Sequence, residues 1–115
     1  VFVTSFDNLL LGLVVAYLVW RVLSAFLVRR RLPALLKEGA QVVDVRSLAE
    51  FAGGHATGSV NIPLSEITER ARELDPNRPV IVCCASGTRS ALAARRLRGQ
   101  GFKRVLNAGS WRSLP

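Results

Sequence analysis

Leu9 to Val28 reads LLLGLVVAYLVWRVLSAFLV, twenty residues that carry a single charge. At about 1.5 Å per residue, a helix of that length matches the roughly 30 Å hydrocarbon layer of a bilayer. The run divides the chain into a candidate transmembrane anchor with its basic flank, residues 1–31, and a remainder, residues 32–115. Tyr17 and Trp20 suit a membrane interface, and Arg29, Arg30 and Arg31 follow directly. Basic residues flanking a span stay on the cytoplasmic side. The expectation is therefore a single-pass anchor in the cell membrane, with the bacterial inner membrane as the natural location and the C-terminal part in the cytoplasm. A cleaved signal peptide would carry its positive charge before the apolar run, whereas here Asp7 precedes it. Arg21 lies about 10 Å of helix before Val28, near enough to snorkel to the cytoplasmic headgroups. The competing reading is a buried or interfacial helix.

Charge and cysteine usage narrow the rest. Sixteen Lys and Arg against eight Asp and Glu give a net charge of +8, which keeps anionic partners in play. The arginine triplet already has a use at anionic lipid headgroups, and no aromatic-rich platform accompanies the charge, so no nucleic-acid partner is expected. Cys83 and Cys84 are adjacent, which excludes a loop-stapling disulfide framework, and the single histidine, His55, excludes the common zinc spacings. Neither a metal nor a cofactor is called for.

Residues 32–115 alternate short apolar runs with helical patterns. Strand patterns fall at Gln41–Val45, Ser59–Ile62, Val80–Cys83 and Arg104–Leu106. Between them, Ser47 to Glu50 forms a capping box, Ser65 stands before a helix placing Ile67, Ala71 and Leu74 on one face, and a helix runs from about Arg89 to Arg98. Before Gln41 only Pro33 to Lys37 looks helical. This rhythm predicts an α/β domain, a small parallel sheet flanked by helices and preceded by one transmembrane helix. Ligands of such sheets collect at the carboxyl ends of the strands, where Asp44 and Cys84 emerge.

The segment Cys84-Ala85-Ser86-Gly87-Thr88-Arg89 joins a buried strand to a helix start. Its backbone N–H groups lack intrahelical partners and can converge on an anion, and Gly87 allows the positive φ that such a nest needs. The same field lowers a thiol pKa, which makes Cys84 the candidate nucleophile. Ala85, Ser86, Gly87, Thr88 and Arg89 are the candidate substrate-binding residues, Arg89 through a planar fork of donors, with Ser90 adding a hydroxyl. Cys83 reads as a packing residue at the strand end.

This part of the chain resembles the rhodanese-like domains. The resemblance rests on Asp44-Val45-Arg46 followed by Glu50-Phe51, and on Gly54-His55 with Gly58 through Pro63. It continues through the Cys84 to Arg89 loop with Ser90, and through Gly101-Phe102, Val105, Gly109 and Trp111. It implies a sulfurtransferase that takes sulfane sulfur from thiosulfate, a small-molecule donor, or from a protein persulfide, and passes it on through a persulfide of Cys84. It also gives His55 a structural place in its loop, and gives Asp44 and Arg46 supporting roles at the sheet edge. The stretch before Gln41 is shorter than the family's usual opening strand and helix, and Ala56-Thr57 and the single Gly109 depart from its pattern. Two other functions remain open. Counted from Cys83, the loop has the Cys-x5-Arg spacing of phosphatases and arsenate reductases. A non-catalytic persulfide carrier or interaction module would use the same residues.

Overall fold

The computed structural model describes residues 2–115. Its first element, α1, is one unbroken helix, Phe2–Lys37, with Pro33 inside it. The apolar run and the short helix expected before Gln41 are thus one rod, and the expected division between Arg31 and Leu32 falls within it. Proline in a helix interior costs about 3 kcal/mol, so something must hold the rod together there. Packing supplies it: Leu32 is buried, and Val28, Leu35 and Leu36 lie with it against Ile81, Cys83 and Ala108. Toward the N-terminus the helix leaves the domain, and Phe6, Leu9 to Leu11, Leu13 and Leu18 are exposed. It is long and apolar enough to cross a membrane.

Four strands form one parallel sheet in the order β2-β1-β3-β4, namely β1 Gln41–Asp44, β2 Val60–Asn61, β3 Val80–Cys84 and β4 Val105–Ser110. The central strand β3 is buried throughout, and its alternation divides two cores. Val80, Val82 and Cys84 face the larger one, with Ile67, Ala71, Ala93, Ala94, Leu97 and Phe102. Ile81 and Cys83 face the smaller one, which the C-terminal part of α1 covers. The helical layers expected on both faces are present, and the last turns of α1 stand where a separate opening helix would otherwise be needed.

Several boundaries differ from the sequence reading. The helix expected after Ser65 is broken into a 3-10 turn at Leu64–Glu66, one α-turn, α3 (Ile67–Arg70), and a second 3-10 turn at Ala71–Glu73. Ser65 does not cap it; Pro63 sits at the N-cap with no side-chain bond. The burial of Ile67, Ala71 and Leu74 sets this path more strongly than the helical period does. The last strand starts at Val105 and continues to Ser110 rather than ending at Leu106, because a bulge after Asn107 lets pairing resume at Gly109 opposite Cys83. The Ser47 capping box forms as expected and opens α2, Leu48–Ala52. The helix following the cysteine loop, α4, spans Thr88–Gly99.

The rod runs antiparallel to the strands. Its C-terminal end meets the strand starts, where Glu38 pairs with Arg104 and Arg78 donates to the Gly39 carbonyl. About two and a half to four turns earlier, Ser24, Ala25, Val28 and Arg29 stand beside Ser86, Gly87 and Thr88 at the strand ends. Residues 5–19 are exposed and continue the helix beyond that edge.

Candidate active site around Cys84

Cys84 closes β3, and its side chain turns toward α4, the residue being 1% exposed. The chain then makes the turn Ala85–Gly87 and enters α4 with Gly87 at the N-cap, φ +108°. Gly87 is required there for two reasons. Its φ belongs to the left-handed region, and a Cβ would approach the Gly109 Cα to 3.2 Å. This turn folds the loop amides back over the sulfur. The Gly87 N–H donates to Cys84 Sγ at 2.9 Å, and the Ser90 hydroxyl lies 3.4 Å from it.

Those contacts decide the thiol's acidity. Burial acts to raise the pKa, and the hydrogen bonds from the Ser90 hydroxyl and from the backbone of Ser90, Gly87 and Ser86 outweigh burial, leaving the Cys84 pKa below the ordinary thiol value. Cys83, one residue away, has the opposite environment. Burial first, then the nearby Asp44 carboxylate, push its thiol up to about 12. The alternation of β3 separates the two: Cys83 lies fully buried in the small core against α1, and only Cys84 meets the loop.

The hydroxyl of Ser90 has a second partner. It donates to Asn107 Oδ1 at 2.6 Å; that oxygen also accepts from the Gly109 N–H at 2.9 Å, while Asn107 Nδ2 donates to the Gly87 carbonyl at 3.1 Å. Asn107 thus ties the bulge of β4 to the cysteine loop. No spacing rule marks it in the sequence, because its position depends on the bulge.

Arg89 is placed differently from the expectation that it faces a bound anion. Its guanidinium makes two bonds to the carboxylate of Glu50, at 2.7 and 3.0 Å, so its donors turn toward α2. Glu50 is drawn well below the usual carboxylate range, to about 2, chiefly by that arginine and then by Ser47. The sequence shows Glu50 only as half of a capping box; the same carboxylate serves the box and the loop. Ala85, Ser86 and Thr88 are exposed on the loop's outer side. An anion at the sulfur therefore meets backbone amides first.

Beneath the loop, Asp44 and Arg46 form a buried pair. Arg46 Nε and Nη2 bond both carboxylate oxygens at 2.7 to 3.0 Å, and Nη2 also reaches the Gly54 carbonyl at 2.7 Å. The guanidinium lies over the Trp111 ring, 4.7 Å from its centre, and Gly54 leaves room for that ring. The pair thus clamps three segments at the sheet edge: the end of β1, the Gly53-Gly54 loop and the closing turn. His55 stacks on Phe51 and its Nδ1 contacts the Phe51 carbonyl at 2.9 Å, well occupied within its own loop.

Comparison with known proteins places this architecture. The family model described as the rhodanese-like domain matches residues 29–113, and the chain belongs to that family. The putative sulfur carrier protein YrkF of Bacillus subtilis (strain 168) is 44% identical over 70 residues, which cover 61% of this chain and 38% of YrkF, so the chain spans well under half of that relative. The uncharacterized protein YqhL of the same organism is 32% identical over 109 residues, covering 88% of this chain and 86% of its own. The thiosulfate sulfurtransferase GlpE of Pseudomonas entomophila (strain L48) is 38% identical over 84 residues, covering 70% and 77%. Among solved structures, a rhodanese with anions from E. coli superposes with a TM-score of 0.62 at 35% identity, covering 66% of this chain and 94% of that one.

Proposed function

We propose that this chain is a membrane-anchored rhodanese-type sulfurtransferase that moves sulfane sulfur through a persulfide on Cys84. The observation that carries the reading is the Gly87 amide directed at a sulfur whose pKa is held below the ordinary thiol value while its neighbour's is raised. The thiosulfate sulfurtransferase name of GlpE and the sulfur-carrier name of YrkF support the same chemistry.

In the first step the Cys84 thiolate attacks the outer sulfur of thiosulfate. The S–S bond of the donor breaks, sulfite leaves as a dianion, and Cys84 holds the transferred sulfur as an anionic persulfide. Sulfite needs no proton on departure, which suits a loop without an acid. The persulfide charge falls among the loop amides, and the carboxylate-bound Arg89 holds the start of α4 against α2. A second nucleophile then removes the outer sulfur. The phosphatase reading, which needs Cys83 as nucleophile, meets a buried thiol raised to about 12 and facing the other core.

Anchoring rests on the exposed apolar surface of α1 and on the basic cluster after it, with residues 32–115 on the cytoplasmic side. Because Val28 lies against the small core, the membrane-embedded part ends earlier than the Leu9–Val28 run suggests, near Trp20. Residues 2–19 give about 27 Å of helix, close to the hydrocarbon thickness.

The test is thiosulfate treatment of the purified chain followed by mass analysis of the loop peptide. A gain of one sulfur on Cys84, discharged by cyanide, is the expected result; an unmodified Cys84 together with steady aryl phosphate turnover would favour the phosphatase reading.

A further inference from the structure

The direction of α1 has a consequence for where the chemistry takes place. All four strands are parallel, and Cys84 lies at their carboxyl ends. Antiparallel to them, α1 leaves the domain past that same edge. Its grip on the sheet through Val28, Leu32, Leu35 and Leu36 fixes the angle, and the helix is continuous, so the domain has no hinge on which to turn away. If the helix is embedded up to about Trp20, the stretch from Trp20 to Val28 is about 12 Å long. The headgroup layer on each side of the hydrocarbon is about 5 to 8 Å thick. The Cys84 loop, beside Ser24 to Val28, therefore lies at or just beneath the headgroups.

The side chains at this place fit that depth. A crevice of about 580 Å³ opens between α1 and the loop, lined by Trp20, Arg21 and Arg29 on the helix and by Ser86, Thr88 and Ser110 on the domain. Among the described residues, neither Arg21 nor Arg29 has a carboxylate partner within salt-bridge distance. Trp20 is an interfacial residue by type, and two unneutralised guanidiniums beside it match a layer of lipid phosphates.

Resting on the anchored sulfurtransferase reading above, we propose that the edge of the sheet carrying Cys84 faces the membrane and exchanges sulfur with a thiol held at headgroup depth in the same membrane. In the transfer step the partner's thiol sulfur bonds to the outer sulfur of the Cys84 persulfide. The S–S bond to Cys84 breaks with its electron pair returning to Sγ as thiolate, and the thiol proton ends on the transferred sulfur. Confinement to one layer gives the partner an effective concentration that soluble thiols do not reach.

The full chain in phospholipid vesicles, loaded with sulfur from thiosulfate, tests this with two acceptors at equal total thiol: phosphatidylthioethanol, a lipid with a thiol headgroup, and 2-mercaptoethanol. Discharge of Cys84 by the lipid thiol should be about tenfold faster or more. Inserting six Gly and Ser residues between Val22 and Leu23, at an exposed part of α1, should leave vesicle retention and thiosulfate loading intact and remove the preference. Equal rates with both acceptors in the unmodified chain, or a preference that survives the insertion, would overturn the proposal. A chain that does not sediment with vesicles would overturn it through the anchor, and one that never loads sulfur would overturn it through the sulfurtransferase reading, so the three failures are distinct.

Discussion

Two adjacent cysteines with opposite acidities give the residue scale its sharpest expectations. Cys84→Ser should abolish sulfur transfer to cyanide and Cys83→Ser should keep most of it, measured by thiocyanate formation. Alkylation by iodoacetamide should titrate with a midpoint below the ordinary thiol value of 9.0 and follow Cys84 alone. For a group lowered in the fold, the thiolate is more populated in the native state than in the unfolded chain at any pH between the two midpoints. Cys83 has the reverse sign. Its raised thiol favours the fold up to pH 9, and that contribution is lost as pH climbs toward about 12, so Cys83→Ala should flatten the alkaline loss of stability seen by denaturant titration. Ser90 supports the lowered pKa of Cys84 with a hydroxyl whose one hydrogen is contested by Asn107 Oδ1. Ser90→Ala should move the alkylation midpoint upward and slow alkylation at pH 7 by about tenfold, as expected for loss of a hydrogen bond to a charged sulfur. An unchanged midpoint would show that the backbone amides suffice.

Among the elements, the short α2 has most to do with the loop, since its Glu50 both completes the capping box and holds Arg89. Lowered to about 2, Glu50 stays ionised across the working range, and the pairing favours the fold above the usual pH 4.5 and is lost only as pH falls toward about 2. Glu50→Gln should free the Arg89 guanidinium to meet an anionic donor. The KM for thiosulfate should fall roughly two- to fivefold at low salt, with the difference vanishing at high salt, as for an exposed charge. A KM that rises would mean that the loop needs the Glu50 tether more than the donor needs the arginine. The loop, the positive φ at Gly87 and the different standing of Cys83 and Cys84 are legible in the sequence, because a strand end and a strand-to-helix turn are local patterns, whereas the facing of the two thiols into separate cores is seen only in the structure. Arg89's partner was hidden, since Glu50 lies 39 positions away and its local capping pattern fully explains its identity. Asn107 was hidden for a related reason: its reach to Ser90 exists only through the bulge in β4. The helical period after Ser65 predicts a longer helix than α3, because Ile67, Ala71 and Leu74 reach the core equally well along a path of mixed turns.

At the scale of the whole molecule, α1 belongs to two structures at once. Its exposed N-terminal half presents an apolar surface of the kind a bilayer takes up, and its C-terminal turns cover Ile81, Cys83 and Ala108. A domain of about 80 residues has little core to spare. The smaller core depends on Leu32, Val28, Leu35 and Leu36, and fully burying such side chains contributes about 1.5 to 3 kcal/mol each. Removal of residues 1–22 should therefore leave a folded domain with cooperative urea unfolding and thiosulfate loading of Cys84 intact, since residues 5–22 are exposed and, among the described residues, α1 joins the smaller core from Val28 onward. Removal of residues 1–32 strips away Val28 and Leu32 and uncovers part of the core around Ile81 and Cys83. Stability is then expected to drop by about 2 to 5 kcal/mol, from the buried Leu32 and the half-buried Val28. Against the 5 to 15 kcal/mol total of a typical domain, that is enough to give a broadened or absent unfolding transition and rapid alkylation of both cysteines. Because Cys83 is shielded by α1 and Cys84 by its own loop, the order of modification reads the cause. Cys83 should become reactive in the shorter fragment at a pH where the longer fragment reacts only at Cys84. Equal protection of Cys83 in both fragments would mean that the sheet face closes without the helix, and that α1 is an appended anchor rather than a structural part of the domain.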